Sequence, residues 1–264
     1  MVKIDGKAIA QKIIEELRKR PAPKKILAAV FVGMSAASES FLKIKEKTAA
    51  DLGVNFQLFQ LAEVVGQDEV EDKVKSLSRR ADVGGIIVQL PLPKRFDREK
   101  VLALIDPKKD LDALGSSPLV ESPTVGVVKE ILAVLNLRTC DVLNIAVVGR
   151  GRLVGQPIIK WLEQERQKFK DLKIKIADEE TKDLEKFLAD ADLVISGVGK
   201  KEGGLVKPEW LKEGAGVIDF GFPPDLDTTN EEHLQKLTFY TPTPGGTGPI
   251  LVAKLFENFY RLNC

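Results

Sequence analysis

Asn144-Ile145-Ala146-Val147-Val148-Gly149-Arg150-Gly151-Arg152-Leu153-Val154-Gly155-Gln156-Pro157 is the stretch whose reading decides the fold. Ile145 to Val148 is an unbroken apolar run, as a strand covered on both faces requires, and it stops at Gly149. A helical pattern resumes near Gly155, with Pro157 in the first turn, where a missing N–H leaves no intrahelical bond unmade. The segment therefore reads as strand, tight turn and helix. Gly149, Gly151 and Gly155 have the spacing G-x-G-x-x-x-G, one residue longer than the commonest dinucleotide-binding pattern. Glycines in such a turn let backbone approach a pyrophosphate, and the free N–H groups at the helix start favour its negative charge. An ordinary strand-to-helix turn carries the same glycines, so other stretches must decide between the two readings.

Around this turn the expected strands are Ile145–Val148, Leu172–Ala177, Leu193–Ser196 and Gly216–Asp219, with helices at about 124–135, 155–166 and 181–190. The N-terminal half alternates in the same way. Ile9, Ile13 and Leu17 mark a helix that ends before Pro21, and Ile26 to Gly33 is a buried strand. A helix at about 38–52, a strand at 54–61, a helix at 68–80 and a strand over Gly85–Gln89 follow, with a short helix at 97–105. This strand-helix alternation predicts an α/β protein of two domains, a parallel three-layer α/β domain and a Rossmann-like one, with a cleft between them. The boundaries are set at 1–120 and 121–247. Thr241-Pro242-Thr243-Pro244-Gly245-Gly246-Thr247-Gly248-Pro249 reads as irregular, and residues 248–264 as a helix that completes the first domain.

Composition narrows the partners. Forty basic and 39 acidic residues in 264 leave a net charge of +1, and no basic stripe with interleaved aromatics suggests nucleic acid. The partner is expected to be a small molecule. No stretch approaches the ~18 apolar residues of a membrane span, the N-terminus lacks an apolar leader, and Cys140 and Cys264 lie far apart. The expectation is a soluble protein of the reduced cytoplasm, with no membrane partner. His233 is the only histidine and sits in a polar run, so neither a histidine relay nor a metal site is expected. Trp161 and Trp210 fall in amphipathic patterns and read as packing residues.

Phe41 and Lys45 are four apart, so a helix puts them on one face, where a ring and an ammonium stem can cover a flat heteroaromatic ligand. A surface lysine is the plainer reading, and it suits Lys43 and Lys47 better. Gln89 stands at the carboxyl end of a buried strand, where α/β proteins place ligands. Taken together, Ala37-Ser38-Glu39-Ser40-Phe41-Leu42-Lys43-Ile44-Lys45, Val88-Gln89-Leu90-Pro91-Leu92-Pro93, Lys109-Asp110-Leu111-Asp112, Gly149-Arg150 with Val154-Gly155-Gln156-Pro157, and Thr241–Pro249 resemble the bifunctional methylenetetrahydrofolate dehydrogenase/cyclohydrolase family. The resemblance runs from the first helix to the last.

The resemblance implies oxidation of 5,10-methylenetetrahydrofolate with NAD or NADP, and hydrolysis of the methenyl product to 10-formyltetrahydrofolate at the same site. It makes Lys45 the catalytic lysine, Gln89 the group that orients it and Asp112 the carboxylate that meets the pterin ring. Ser40, Phe41, Leu90, Pro91, Pro244, Gly245 and Gly246 are then substrate contacts. Gly149, Arg150, Gly151, Val154, Gly155, Asp178, Thr243 and Gly248 are then cofactor contacts, and a homodimer is expected. The departures from the family are Phe41 for a tyrosine, Gly151 for a serine, Ala113-Leu114-Gly115 for a Gly-Phe-His run, and Glu121-Ser122-Pro123-Thr124 for a Pro-Cys-Thr-Pro segment. They keep open a catalytically weakened folate- or nucleotide-binding relative; a dehydrogenase of another small substrate is the other alternative. Asp178 lies 23 residues beyond Gly155, close to the place of a ribose-binding acid, which favours NAD; Arg150 and Arg152 pull toward the 2′-phosphate of NADP.

Overall fold

The strand of the glycine turn, β5 (Asn144–Val148), is flanked by β6 (Lys173–Ala177) on one side and β7 (Leu193–Ser196) on the other, both parallel to it. The chain leaves β5, returns as β6, and then crosses to the opposite side as β7. The carboxyl end of β5 is thus a topological switch point, where open α/β sheets leave a crevice for ligands. The computed structural model describes residues 1–33, 36–137, 144–168, 171–200 and 202–264, with the backbone alone for 36–41 and 168. Two compact units result, one of Met1–Ile9 with Thr124–Leu251 and one of Ala10–Pro123 with Val252–Cys264.

The unit that holds β5 has a six-stranded all-parallel sheet. Beyond β7 lie β8 (Gly216–Asp219), β9 (Phe239–Tyr240) and, at the edge, β1 (Val2–Lys3). Helices α5 (Pro123–Val134), α6 (Gly155–Lys168), α7 (Leu184–Leu188) and α8 (Glu231–Leu234) connect the strands. Ala146, Val148, Val194, Val217 and Tyr240 alternate along their strands into one core with Leu188, Leu211 and Leu234. The two-residue strands β1 and β9 are too short to leave a periodic signal, and the sequence reading passes over both. Their pairing, Val2 with Phe239 and Lys3 with Tyr240, is why the first nine residues group with this unit rather than with 10–120.

The other unit is built on three parallel strands in the order β3 (Phe56–Leu61), β2 (Ile26–Val32), β4 (Val83–Val88). Every residue of β2 is buried because the sheet is covered on both faces. Leu27 and Ala29 face a core shared with α1 (Gly6–Arg18), α2 (Ala36–Leu52) and α9 (Thr247–Asn263), through Ile14, Leu52, Phe256, Phe259 and Tyr260. Ile26, Ala28, Val30 and Val32 face the opposite core, with α3 (Gln67–Arg79) and α4 (Arg98–Ala103) supplying Val70, Val74, Leu77, Val101 and Leu102.

Two of the differences in extent have a clear local cause. The helix expected at 181–190 is only α7, because the Asp183 side chain accepts from the Lys186 N–H and caps its start, while Thr181 is spent on a turn with Asp178. The irregular run expected to reach Pro249 ends at Gly246. Thr247, Gly248 and Pro249 form the first turn of α9, where proline is tolerated.

Candidate active site

On α2 the residues Leu42, Lys45, Ala49 and Leu52 recur on one buried stripe, and Lys45 is the only charged member. Lys43 and Lys47 point to solvent, as the plainer reading had it, but Lys45 is only 6% exposed. Its Nζ donates to Gln89 Oε1 at 3.0 Å. The other end of the Gln89 amide donates to the Leu90 carbonyl at 2.9 Å, which fixes the amide with its oxygen toward the lysine. Gln89 reaches this point because it follows the last residue of β4, with its own N–H on the Val30 carbonyl.

Burial draws the Lys45 amine below the ordinary lysine range, and the carboxylate of Asp112 partly offsets this. Asp112 responds in mirror image. Burial of its carboxyl pushes it up to about 6, Lys45 pulls it down and the nearby Asp110 pushes it further up. An amine with weakened hold on its proton is thus coupled to a carboxyl with strengthened hold, an arrangement suited to acid–base chemistry.

At the switch point Gly149 has φ +97°, a left-handed conformation that side chains resist, and its N–H donates to the Ala177 carbonyl at 2.8 Å. A Cβ on Gly155 would stand 2.0 Å from the Gly149 carbonyl oxygen, so the turn closes onto α6 only with glycine there. A Cβ on Gly151 would meet nothing closer than 3.9 Å. The turn therefore leaves open room above Gly151 at the start of α6, which suits a pyrophosphate. Beside it Arg150 Nε donates to Asp178 Oδ2 at 2.9 Å. The two residues that argued for opposite cofactors are paired with each other.

Two buried carboxylates organise the ends of β7 and β8. Asp225 accepts from Ser196 Oγ at 2.6 Å, from the Val198 N–H at 2.8 Å and from the Gly199 N–H at 2.8 Å. Asp219 accepts from the N–H groups of Gly221 at 2.6 Å and Leu226 at 2.9 Å, and burial pushes its carboxyl up to about 6. The backbone of Asp219 also ties down the glycine-proline run, since its N–H donates to Thr241 Oγ1 and its carbonyl accepts from Thr247 Oγ1. Sequence reasoning missed both aspartates. The available signal was an acidic residue closing the apolar run Gly216–Ile218 at a sheet's carboxyl edge.

Residues 4–112 match the family model for the tetrahydrofolate dehydrogenase/cyclohydrolase catalytic domain, and residues 122–263 match that for its NAD(P)-binding domain. The chain belongs to this family. A bifunctional protein FolD of Staphylococcus carnosus is 33% identical over 97% of this chain and 94% of its own length. Among solved structures, the methylenetetrahydrofolate dehydrogenase-cyclohydrolase of Trypanosoma brucei, complexed with NADP cofactor and inhibitor, is 28% identical with a TM-score of 0.87, covering 99% of this chain and 96% of that one. A methylenetetrahydrofolate dehydrogenase of the silkworm Bombyx mori is 27% identical with a TM-score of 0.88, covering 100% and 98%.

Of the family positions expected from sequence, Lys45, Gln89 and Asp112 come together in the unit built on β2, with Leu90 buried and Pro91 exposed beside Gln89. Gly149, Arg150, Gly151, Val154, Gly155 and Asp178 gather at the carboxyl ends of β5 and β6. Thr243, Pro244, Gly245 and Gly246 precede α9 and Gly248 lies in its first turn; Gly245 has φ +100°, and a Cβ on Gly246 would stand 2.5 Å from the Pro242 carbonyl oxygen. The side chains of Ser40 and Phe41, and all of Cys140, lie outside the described residues. His233 is half-buried and its Nδ1 lies 3.2 Å from Glu209 Oε2, and among the described residues no group of three or more His, Cys, Asp or Glu side chains could hold a metal ion. No described helix is long and apolar enough to cross a membrane.

Proposed function

We propose that this family member oxidises 5,10-methylenetetrahydrofolate to the methenyl form and hydrolyses that product to 10-formyltetrahydrofolate, with Lys45, Gln89 and Asp112 as the working groups. The observation that carries the reading is the buried Lys45–Gln89 pair with its lowered amine, set beside Asp112. Ionised Asp112 accepts from the amino-pyrimidine edge of the pterin and offers negative charge as the substrate becomes a methenyl cation. Burial weakens the hold of Lys45 on its proton and so lessens its repulsion of that cation. In the hydrolytic step water adds to the methenyl carbon and Lys45 takes the proton it releases; N5 gains a proton as its bond to that carbon breaks, and the hydroxyl of the adduct gives up its own proton as the formyl C=O forms. Gln89 keeps Nζ aimed throughout.

The glycine turn, with room over Gly151 beside the start of α6, fits a dinucleotide, which when bound supplies the hydride acceptor. The chain holds it through the backbone of Gly149, Gly151 and Gly155, with Val154, Thr243 and Gly248 alongside. Asp178 favours NAD over NADP, because its carboxylate suits a ribose 2′-OH, repels a 2′-phosphate and occupies Arg150. Family resemblance also supports a homodimer, which sedimentation would show as a species of twice the chain mass.

The deciding experiment is Lys45→Met. Methenyl hydrolysis should fall by about 10²–10⁴-fold with the circular dichroism spectrum unchanged, the range expected for losing a positioned proton-transfer group. Hydrolysis at the wild-type rate would remove Lys45 from the mechanism.

A further inference from the structure

We propose that Asp110 is a positioning residue for Asp112, its side chain closing the turn that presents Asp112 to the folate ring; this rests on the substrate-binding reading of Asp112. Asp110 is 1% exposed, and both of its oxygens are used on the turn itself. Oδ1 accepts from the Leu114 N–H at 3.2 Å and Oδ2 from the Gly115 N–H at 2.7 Å. The chain is also pinned where it enters the turn. The Ile86 N–H of β4 donates to the Lys109 carbonyl at 2.8 Å, and Asp110 pairs with Ile86 in a parallel bridge. Between these points Leu111 is fully buried and its carbonyl accepts from Asn258 Nδ2 of α9 at 2.9 Å. Asp112 and Ala113 are the residues left to project from a loop held at both ends.

Ala113 has φ +55°, a left-handed conformation that alanine resists. The turn does not adopt that shape through Ala113's own preference, and the Asp110 carboxylate, which bonds the two N–H groups just beyond it, is what holds it. Asp110 also acts through charge. The charged groups that bear on the Asp112 carboxyl are Lys45 from α2, which lowers it, and Asp110 from the same turn, which raises it. Asp110 therefore holds the turn that places Asp112 and adds to the upward push that burial gives its carboxyl.

A turn residue that served stability alone would lower the melting temperature without touching substrate recognition. The test compares steady-state oxidation of 5,10-methylenetetrahydrofolate by full-length wild type, Asp110→Asn, Gly115→Ala and Asp112→Asn across pH, with the nucleotide varied separately. In Asp110→Asn an amide group that cannot accept replaces one oxygen and the charge is gone. The folate KM should rise roughly tenfold, the nucleotide KM should stay within about twofold, and the acid limb should move to lower pH as the like charge beside Asp112 disappears. Gly115→Ala keeps the charge but puts a Cβ 3.0 Å from Asp110 Oδ2, so the folate KM should rise with the acid limb unmoved. Wild-type folate KM and acid limb in Asp110→Asn, with only a lower melting temperature, would overturn the proposal. If Asp110→Asn does not fold, Gly115→Ala decides, and a wild-type folate KM there overturns it equally. A wild-type folate KM in Asp112→Asn instead sinks the reading of Asp112 itself, and the proposal falls with it.

Discussion

At the scale of single residues, the site depends on placing an amine where its charge is costly. Lys45 shares a helix stripe with Leu42, Ala49 and Leu52, so its stem packs as an apolar chain would while its Nζ finds Gln89. The pH dependence follows with its sign. Asp112 binds the pterin edge as a carboxylate, and its carboxyl is pushed up to about 6. Folate kcat/KM should therefore fall about tenfold per unit as the pH drops below that value. A pH–rate profile that stays flat from pH 7 to 4.5 would exclude Asp112 from that role. The Arg150–Asp178 pair is an exposed one, worth ~0–1 kcal/mol, so its weight lies in cofactor choice rather than in stability. Asp178→Ser releases Arg150 and removes the repulsive carboxylate. The ratio of kcat/KM for NADP to that for NAD should rise about tenfold, or ~1.4 kcal/mol, and an unchanged ratio would detach Asp178 from the ribose.

At the scale of elements, the glycines of the β5–α6 turn are not equivalent, although their spacing makes them look alike. Gly155 is sterically required, since any Cβ there collides with the Gly149 carbonyl, whereas Gly151 faces open space. Gly155→Ala should therefore abolish measurable nucleotide binding or the fold of its unit, while Gly151→Ser should leave nucleotide Kd within about threefold, read by fluorescence titration. Comparable losses in both variants would mean that spacing rather than contact governs the turn. The buried aspartates Asp219 and Asp225 do the corresponding work for β7 and β8, where they satisfy N–H groups that the strands leave behind as they end.

At the scale of the molecule, the two units are discontinuous in sequence but each has its own core. The chain passes from one unit to the other within α1, between Pro123 and Thr124, and again within α9. The last thirteen residues belong to a core laid down more than two hundred positions earlier, as Phe256, Phe259 and Tyr260 pack with Leu27, Ala29 and Leu52. Phe256 is fully buried, so Phe256→Ala should cost about 3–5 kcal/mol through lost burial and a residual cavity. Because the cores are separate, amide hydrogen exchange should quicken in β2 and β4 and stay near wild type in β5 and β8. Equal loss of protection in both sheets would show that the units unfold as one.

Local rules were enough to make β2, β4, β5 and the glycine turn legible, because a doubly covered parallel strand must be an apolar run and a strand-to-helix turn must spend glycines. The order of the family motifs likewise made Lys45, Gln89 and Asp112 legible as a group before any distance was known. Short elements were not legible: β1 and β9 hold two residues each, and their pairing depends on sequence separation that periodicity does not see. The same holds for charge. Arg150 and Asp178 read as rivals in sequence and are partners in space, and Asp110 reads as one more polar turn residue until its two N–H partners appear. Pattern along the chain determines which segments are buried, since burial follows period; which buried or facing groups satisfy one another is decided by tertiary structure, because hydrogen bonds and charges act over a few ångströms of space whatever the distance along the chain.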